Sequence, residues 1–351
     1  MRRTSWRRLA VVLGVVGALG LAACGRSAPQ GPGTSSSVAS SSRSSSGVSV
    51  SLNSKLPVQQ VAVADLGSLL PTPLEGLAAV AWQGKIYLFG GSGPAGFNAT
   101  VWSFTPTASG GVISRAGSLP VALHDAGAAP TSTGVLVCGG GQSVGSSDVY
   151  LWTPSGTRTV APLPIPLSDL EGVSAQGSPW CLGGWTGTEY SDAVWALDPT
   201  GAAAPRLALH LPEAVRYGAA AALPGGILLA GGDRVNRGPT SSVQWVPLAG
   251  AGKPAVVAAL PSAVDKAMAA TVGQQALVLG GCTASGTPER DIWSLDALGE
   301  EQAVGKLPAG RCYGAAAWLD GRVYVFGGLG PGGQALADVL ELRPLYGLPG
   351  A

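Results

Sequence analysis

An all-β fold assembled from six copies of one four-stranded unit is what this sequence predicts, and three observations carry the prediction. Glycine (54) and proline (27) are too frequent in 351 residues for a helix-rich protein. Leu-Pro recurs at Leu70, Leu119, Leu163, Leu211, Leu260 and Leu307, and Gly-Gly at Gly90, Gly139, Gly183, Gly231, Gly280 and Gly327. Each Leu stands 20 residues before its Gly in all six copies, while successive copies lie 49, 44, 48, 49 and 47 residues apart. A fixed interval between variable connections marks a repeat architecture.

Residues 1–23 precede the repeats. Arg2, Arg3, Arg7 and Arg8 are followed by an apolar run from Leu9 to Ala23, rather short for a spanning helix but of signal-peptide length. Leu21-Ala22-Ala23-Cys24 resembles the bacterial lipobox. That resemblance implies an acylated Cys24 as first residue of the mature chain, anchored in a lipid bilayer. The expected address is the outer face of the plasma membrane, or the outer membrane or periplasm of a bacterium. Arg7-Arg8 leaves the choice between general and twin-arginine export open.

Residues 24–57 are mostly serine with glycine and proline, a composition that cannot bury enough apolar surface to order itself. They are expected to be a flexible tether, and about 30 such residues span on the order of 30 Å. No later stretch is apolar for long enough to cross a membrane. Four of the arginines that make up the net charge of +1 fall in the first eight residues, so the remainder carries −3. That balance shows no basic face for nucleic acid.

The repeats occupy residues 58–351. Within each 20-residue interval a segment of small residues (Leu77-Ala78-Ala79-Val80, Gly218-Ala219-Ala220-Ala221, Gly314-Ala315-Ala316-Ala317) precedes an apolar run that stops at the glycines, such as Val323-Tyr324-Val325-Phe326. Both have strand length and turn residues at their ends. A third strand carries Trp102, Trp152, Trp195, Trp245 or Trp293, and a fourth, such as Ala255–Ala259, precedes the next Leu-Pro. Only eight residues separate Leu340 from Leu348, too few for a fourth strand in the last copy, whereas Val58–Leu66 reads as an outer strand with no unit of its own. Four strands per unit repeated radially make a six-bladed β-propeller, with the N-terminal segment supplying the outer strand of the last blade. The face bearing the Leu-Pro and post-Gly-Gly loops then points away from the membrane.

The double glycine closing each second strand resembles kelch repeats, of the galactose oxidase and kelch superfamily, from about residue 58 to the end. Kelch blades usually carry a fourth-strand Trp that this chain lacks. Polar or reactive residues occupy the fourth position after each Leu-Pro proline: Glu75, His124, Ser168, Arg216, Asp265 and Cys312. The next position adds Asp125, Asp169, Tyr217, Lys266 and Tyr313, and the loops after Gly-Gly add Trp185, Asp233 and Arg234. These residues are expected to ring the channel mouth, where loops on a rigid scaffold carry function. In peptide-binding kelch proteins arginines and serines there contact the ligand, a role the resemblance hands to Arg216 and Ser168.

The resulting expectation is a non-catalytic, monomeric module for a glycan or a protein. Its runner-up is a mutarotase-like sugar enzyme using Glu75, Asp265, Arg216 and His124 as acids and bases. A galactose-oxidase copper centre needs two histidines together, and the chain has only His124 and His210, the latter expected on an outermost strand. No metal or other cofactor is therefore expected. Of the four cysteines after Cys24, Cys282 and Cys312 are expected to bridge adjacent blades, while Cys138 and Cys181 either pair or serve as small core residues.

Overall fold

A computed structural model describes residues 56–347 apart from Ala249 and Ala251; the signal segment, Cys24 and nearly all of the tether lie outside the described residues. The described chain contains strands and no helix, in five antiparallel sheets. Units 1 and 2 share one seven-stranded sheet, because Gly110–Pro130 is a single extended strand. Its first half pairs with Gly96–Thr107 of unit 1, its second half with Val135–Gly141 of unit 2. The chain thus continues through Leu119-Pro120 without the turn that proline invites.

Unit 3 comprises Glu171–Ala175, Ser178–Leu182, Ala193–Ala196 and Arg206–His210. Unit 5 comprises Met268–Val272, Gln275–Leu279, Asp291–Leu295 and Glu301–Lys306. Unit 4 adds a short fifth strand, Asp233–Arg234, to its four. In unit 6, Ala315–Leu319, Arg322–Phe326 and Asp338–Tyr346 are completed by Val58–Ser68, which runs antiparallel to Asp338–Tyr346 with Val61 opposite Pro344 and Asp65 opposite Leu340. The first and last described strands are thereby zipped together, and Val58–Ser68 takes the outer place in that sheet. Val58 N donates to Gln275 Oε1 (2.7 Å), so the chain enters at the end where first strands turn into second strands.

The core is divided between the sheets. Six apolar clusters form, one between each pair of successive units, and the cluster of Leu77, Ile86 and Phe104 with Ala317, Tyr324 and Phe326 joins unit 1 to unit 6. Third-strand tryptophans fill the gaps: Trp152 of unit 2 is fully buried against Trp82 (6.2 Å between centroids), Tyr87 (4.6 Å) and Phe89 (5.6 Å) of unit 1. Such aromatics supply large buried area per residue. First strands neighbour one another in turn, and that of unit 6 returns to that of unit 1.

The glycine pairs explain themselves in this packing. All twelve residues have positive φ, and a Cβ on Gly327 would meet Leu74 O at 2.3 Å. No side chain fits where the second strand presses on the neighbouring unit's backbone. Disulfides join Cys282 to Cys312, with Cα atoms 5.4 Å apart, and Cys138 to Cys181. Each ties two successive units together.

Candidate functional site

Where each first strand begins, one residue takes a left-handed backbone conformation in all six units. The second of the two polar positions after Leu-Pro is Gly76, Asp125, Asp169, Tyr217, Lys266 and Tyr313, and every one has φ between 52° and 61°. Five of the six are not glycine, and left-handed backbone costs such residues about 1–2 kcal/mol each. Backbone hydrogen bonds repay part of that cost. Asp169 N donates to Asp125 O, Tyr217 N to Asp169 O, Lys266 N to Tyr217 O, Tyr313 N to Lys266 O and Gly76 N to Tyr313 O, all at 2.7–2.9 Å. A ladder of amides running from unit to unit thus holds the six positions in one inner row.

Their side chains meet. Tyr313 donates to Asp125 Oδ2 (2.6 Å) across the place where Gly76 has no side chain; a Cβ there would lie 2.7 Å from Asp125 Oδ1. Tyr217 reaches the same oxygen at 3.5 Å and stands edge-on to Tyr313 at 5.5 Å. Lys266 Nζ lies over both rings, at 4.6 and 5.3 Å, and 3.6 Å from Asp265. Burial, then the charge of Asp125, pushes both phenols up, so they stay neutral donors.

The first position forms an outer row, each residue paired with the one after its glycine pair: Glu75 with Ser92, His124 with Gly141, Ser168 with Trp185, Arg216 with Asp233, Asp265 with Cys282 and Cys312 with Leu329. Arg216 is the most connected. Its Nε donates to Asp233 Oδ2 (3.1 Å) and its Nη1 to Asp169 Oδ2 (3.2 Å), while the guanidinium packs on Tyr190 (4.9 Å), Tyr217 (5.0 Å) and Trp185 (5.7 Å). Tyr190 donates to Asp233 (2.6 Å), and burial pushes its phenol up to about 12. On the other side His124 stacks on Phe97, at 4.7 Å and 12°, with Nδ1 2.5 Å from Asp125 and Nε2 3.1 Å from Gln142 O. Burial opposes the imidazolium, but the hydrogen bond and charge of Asp125, the Gln142 carbonyl and the charge of Asp169 outweigh it and hold the pKa above the ordinary value.

Three carboxyl groups in this region, those of Asp169, Glu75 and Asp265, shift upward. Burial, then Asp125, raises Asp169 to about 6 against the opposing bonds from Ser168 and Arg216. Glu75 and Asp265 also move up, burial being the leading cause in both.

Two expectations need correction. The outer row does not ring the channel: a cavity of about 500 Å³ runs along the first strands of all six units, and its lining includes the inner row but none of the outer row. Positive φ turns the second residue of each pair inward, which spacing alone does not reveal. Nor is Ser168 free for a ligand, whereas Cys312 forms the expected disulfide. Ser168 is buried and exchanges backbone bonds with Trp185 (3.0 and 2.7 Å). Glu75, His124, Arg216 and Asp265 do share one face with Asp233 and Trp185, outside the inner row. His210 lies on the outermost strand of unit 3 against Asp192 (3.0 Å). Among the described residues no cluster of three or more metal-ligating side chains occurs.

Sequence reasoning missed Tyr190, Phe97 and Glu171. The first two are aromatics in the loops after Gly-Gly. Glu171 had a signal: at a repeat position held in the other units by Ala78, Gly127, Ala219, Met268 and Ala315, it alone is charged.

No protein-family model matches the chain, and no curated protein matches it. Among solved structures it is similar to YjhT, a β-propeller protein, with a TM-score of 0.68 over 78% of this chain and 96% of that one. The two are 16% identical. The likeness shows the fold. The chain adopts an all-β fold of β-propeller type.

Proposed function

We propose that the protein is an exported, lipid-anchored, six-bladed β-propeller of kelch type that binds a carbohydrate without transforming it, in the shallow bowl above the inner row. The observation that carries this reading is the inner row itself. Strained backbone at five non-glycine positions persists where recognition uses it, and here it builds a rigid polar floor. Around that floor stand aromatic faces, Phe97 with His124 on one side and Trp185 with Tyr190 on the other, and the carboxylates of Glu75, Asp233 and Asp265. Flat apolar faces beside fixed hydrogen-bonding groups suit the two faces of a sugar ring. Six clusters and six neighbouring first strands support six blades, the disulfides fit an oxidising compartment, and the N-terminal strand entering at the opposite end fits a bowl facing away from the membrane.

A glycan array with the wild-type chain, Arg216→Ala and Glu75→Ala tests it. Binding reduced about tenfold or more in either variant, with no turnover, is expected. Unchanged binding in both variants removes the bowl, and binding of a protein partner with no glycan bound replaces the ligand class.

Asp169 favours a second reading. A carboxyl raised to about 6 beside Arg216 and close to His124 suits acid–base chemistry at neutral pH. A mutarotase-like enzyme would then accelerate anomer exchange, followed by NMR, and lose that acceleration in Asp169→Asn.

A further inference from the structure

Below the inner row the axial cavity is a separate space. Its upper end is lined by Asp125, Asp169, Tyr217, Lys266 and Tyr313, and it extends to Pro130, Gly273 and Trp318 at the hairpin ends of the first strands. Its walls are backbone and small apolar groups such as Ala79, Ala128, Ala221, Ala270 and Ala316. At about 500 Å³ it has the size of a small-molecule site.

One residue breaks the wall. Glu171 occupies the place held in the other units by Ala78, Gly127, Ala219, Met268 and Ala315. Its carboxyl has no hydrogen bond and no ion pair among the described residues. Burial and the charge of Asp125 raise it to about 8. The nearby cations are already engaged, Arg216 by Asp169 and Asp233 and Lys266 by Asp265. The two tyrosines point their hydroxyls at Asp125. The cavity ceiling therefore holds three carboxyl groups and one lysine, with Glu171 the group left without a partner. An ionisable side chain in a wall of small and apolar groups, with no partner among the described residues, is poised for a group from outside.

We propose that the axial cavity is a second binding site, distinct from the bowl, for the ammonium head of a slender alkylamine that enters from the hairpin end and is held by Glu171. A hydrated metal ion suits the place less well, because such ions take about six oxygen ligands and the walls offer hydrocarbon. An alkyl chain finds that hydrocarbon along its whole length, and its ammonium supplies the donors and charge that Glu171 lacks. Ionisation of the carboxyl accompanies binding, so a proton leaves the site at neutral pH.

Calorimetric titration of the full chain at pH 7 with hexylamine, hexanol and hexanoate tests the proposal. Hexylamine is expected to bind at least about tenfold more tightly than hexanol, hexanoate not to bind, and the heat to depend on the buffer as protons are released. Glu171→Gln is expected to lower amine affinity about tenfold or more. Hexanol or hexanoate binding as well as the amine, or Glu171→Gln binding the amine like wild type, overturns it. The comparison of the three probes on the wild-type chain decides the matter even if the variant does not fold.

Discussion

Two neighbouring rows of residues, one position apart in sequence, do different work. The outer row pairs its backbone with the chain after each glycine pair, and its larger side chains, Arg216 and His124, lie outside the axial cavity. The inner row sits at positive φ, links unit to unit through its amides and lines the top of the axial cavity. Both rows are polar in composition, so residue type does not separate them. Backbone conformation does, and the difference teaches that a repeat can set two surfaces with adjacent residues by reversing the sign of one torsion.

That contrast can be broken at its strongest cross-link first. Replacing both Cys282 and Cys312 by serine removes a link between outer-row position 312 and its neighbour unit, and closure of a loop of 30 residues is worth about 3–4 kcal/mol. A lowered urea midpoint, with a slope equal to or steeper than that of the wild type, checks it. Asp125→Ala should cost somewhat less, about 3 kcal/mol, because Tyr313 and His124 lose their shared acceptor in a buried place. A thermal midpoint equal to wild type would show that the inner row is not a connected network.

Acidity sharpens the comparison next. Asp169 and Glu171 bind protons more tightly when folded than unfolded, rising from 3.8 to about 6 and from 4.5 to about 8. Their contribution to stability is therefore complete below about pH 4 and is lost as pH rises through 6 for Asp169 and 8 for Glu171, the reverse of a salt-bridged carboxylate. Calorimetric midpoints should fall between pH 5 and 8, and Glu171→Gln should flatten the upper part of that fall.

The smallest effect is the most diagnostic. At Lys266, glycine should be about 1 kcal/mol more stable than alanine, while at Asp265, next to it, alanine should be the more stable by about 0.5–1 kcal/mol. Equal rankings at the two positions would remove the torsional distinction between the rows.

Much of the fold was legible beforehand because it rests on local spacing. The Leu-Pro and Gly-Gly intervals mark where each second strand ends, and the short tail after Leu340 announces that unit 6 needs a strand from elsewhere, which Val58–Ser68 supplies. Cys282 and Cys312 were placeable for the same reason. The site was legible only in part. Spacing assigned both rows to the channel mouth and counted Ser168 among the ligand contacts, because which of two adjacent polar residues turns inward depends on hydrogen bonds to other units.

Repetition of a pattern along the chain was enough by itself to determine the strand content, the number of units and the conformational need for paired glycines. Those are consequences of covalent geometry and alternating burial, which act over a few residues. Only the tertiary structure decided that Tyr313 crosses to Asp125, that Arg216 is held between two carboxylates, and that Glu171 stands alone in a wall of alanines. Each of these brings together residues of different units, and their energies arise from burial and charge at distances the linear order does not encode.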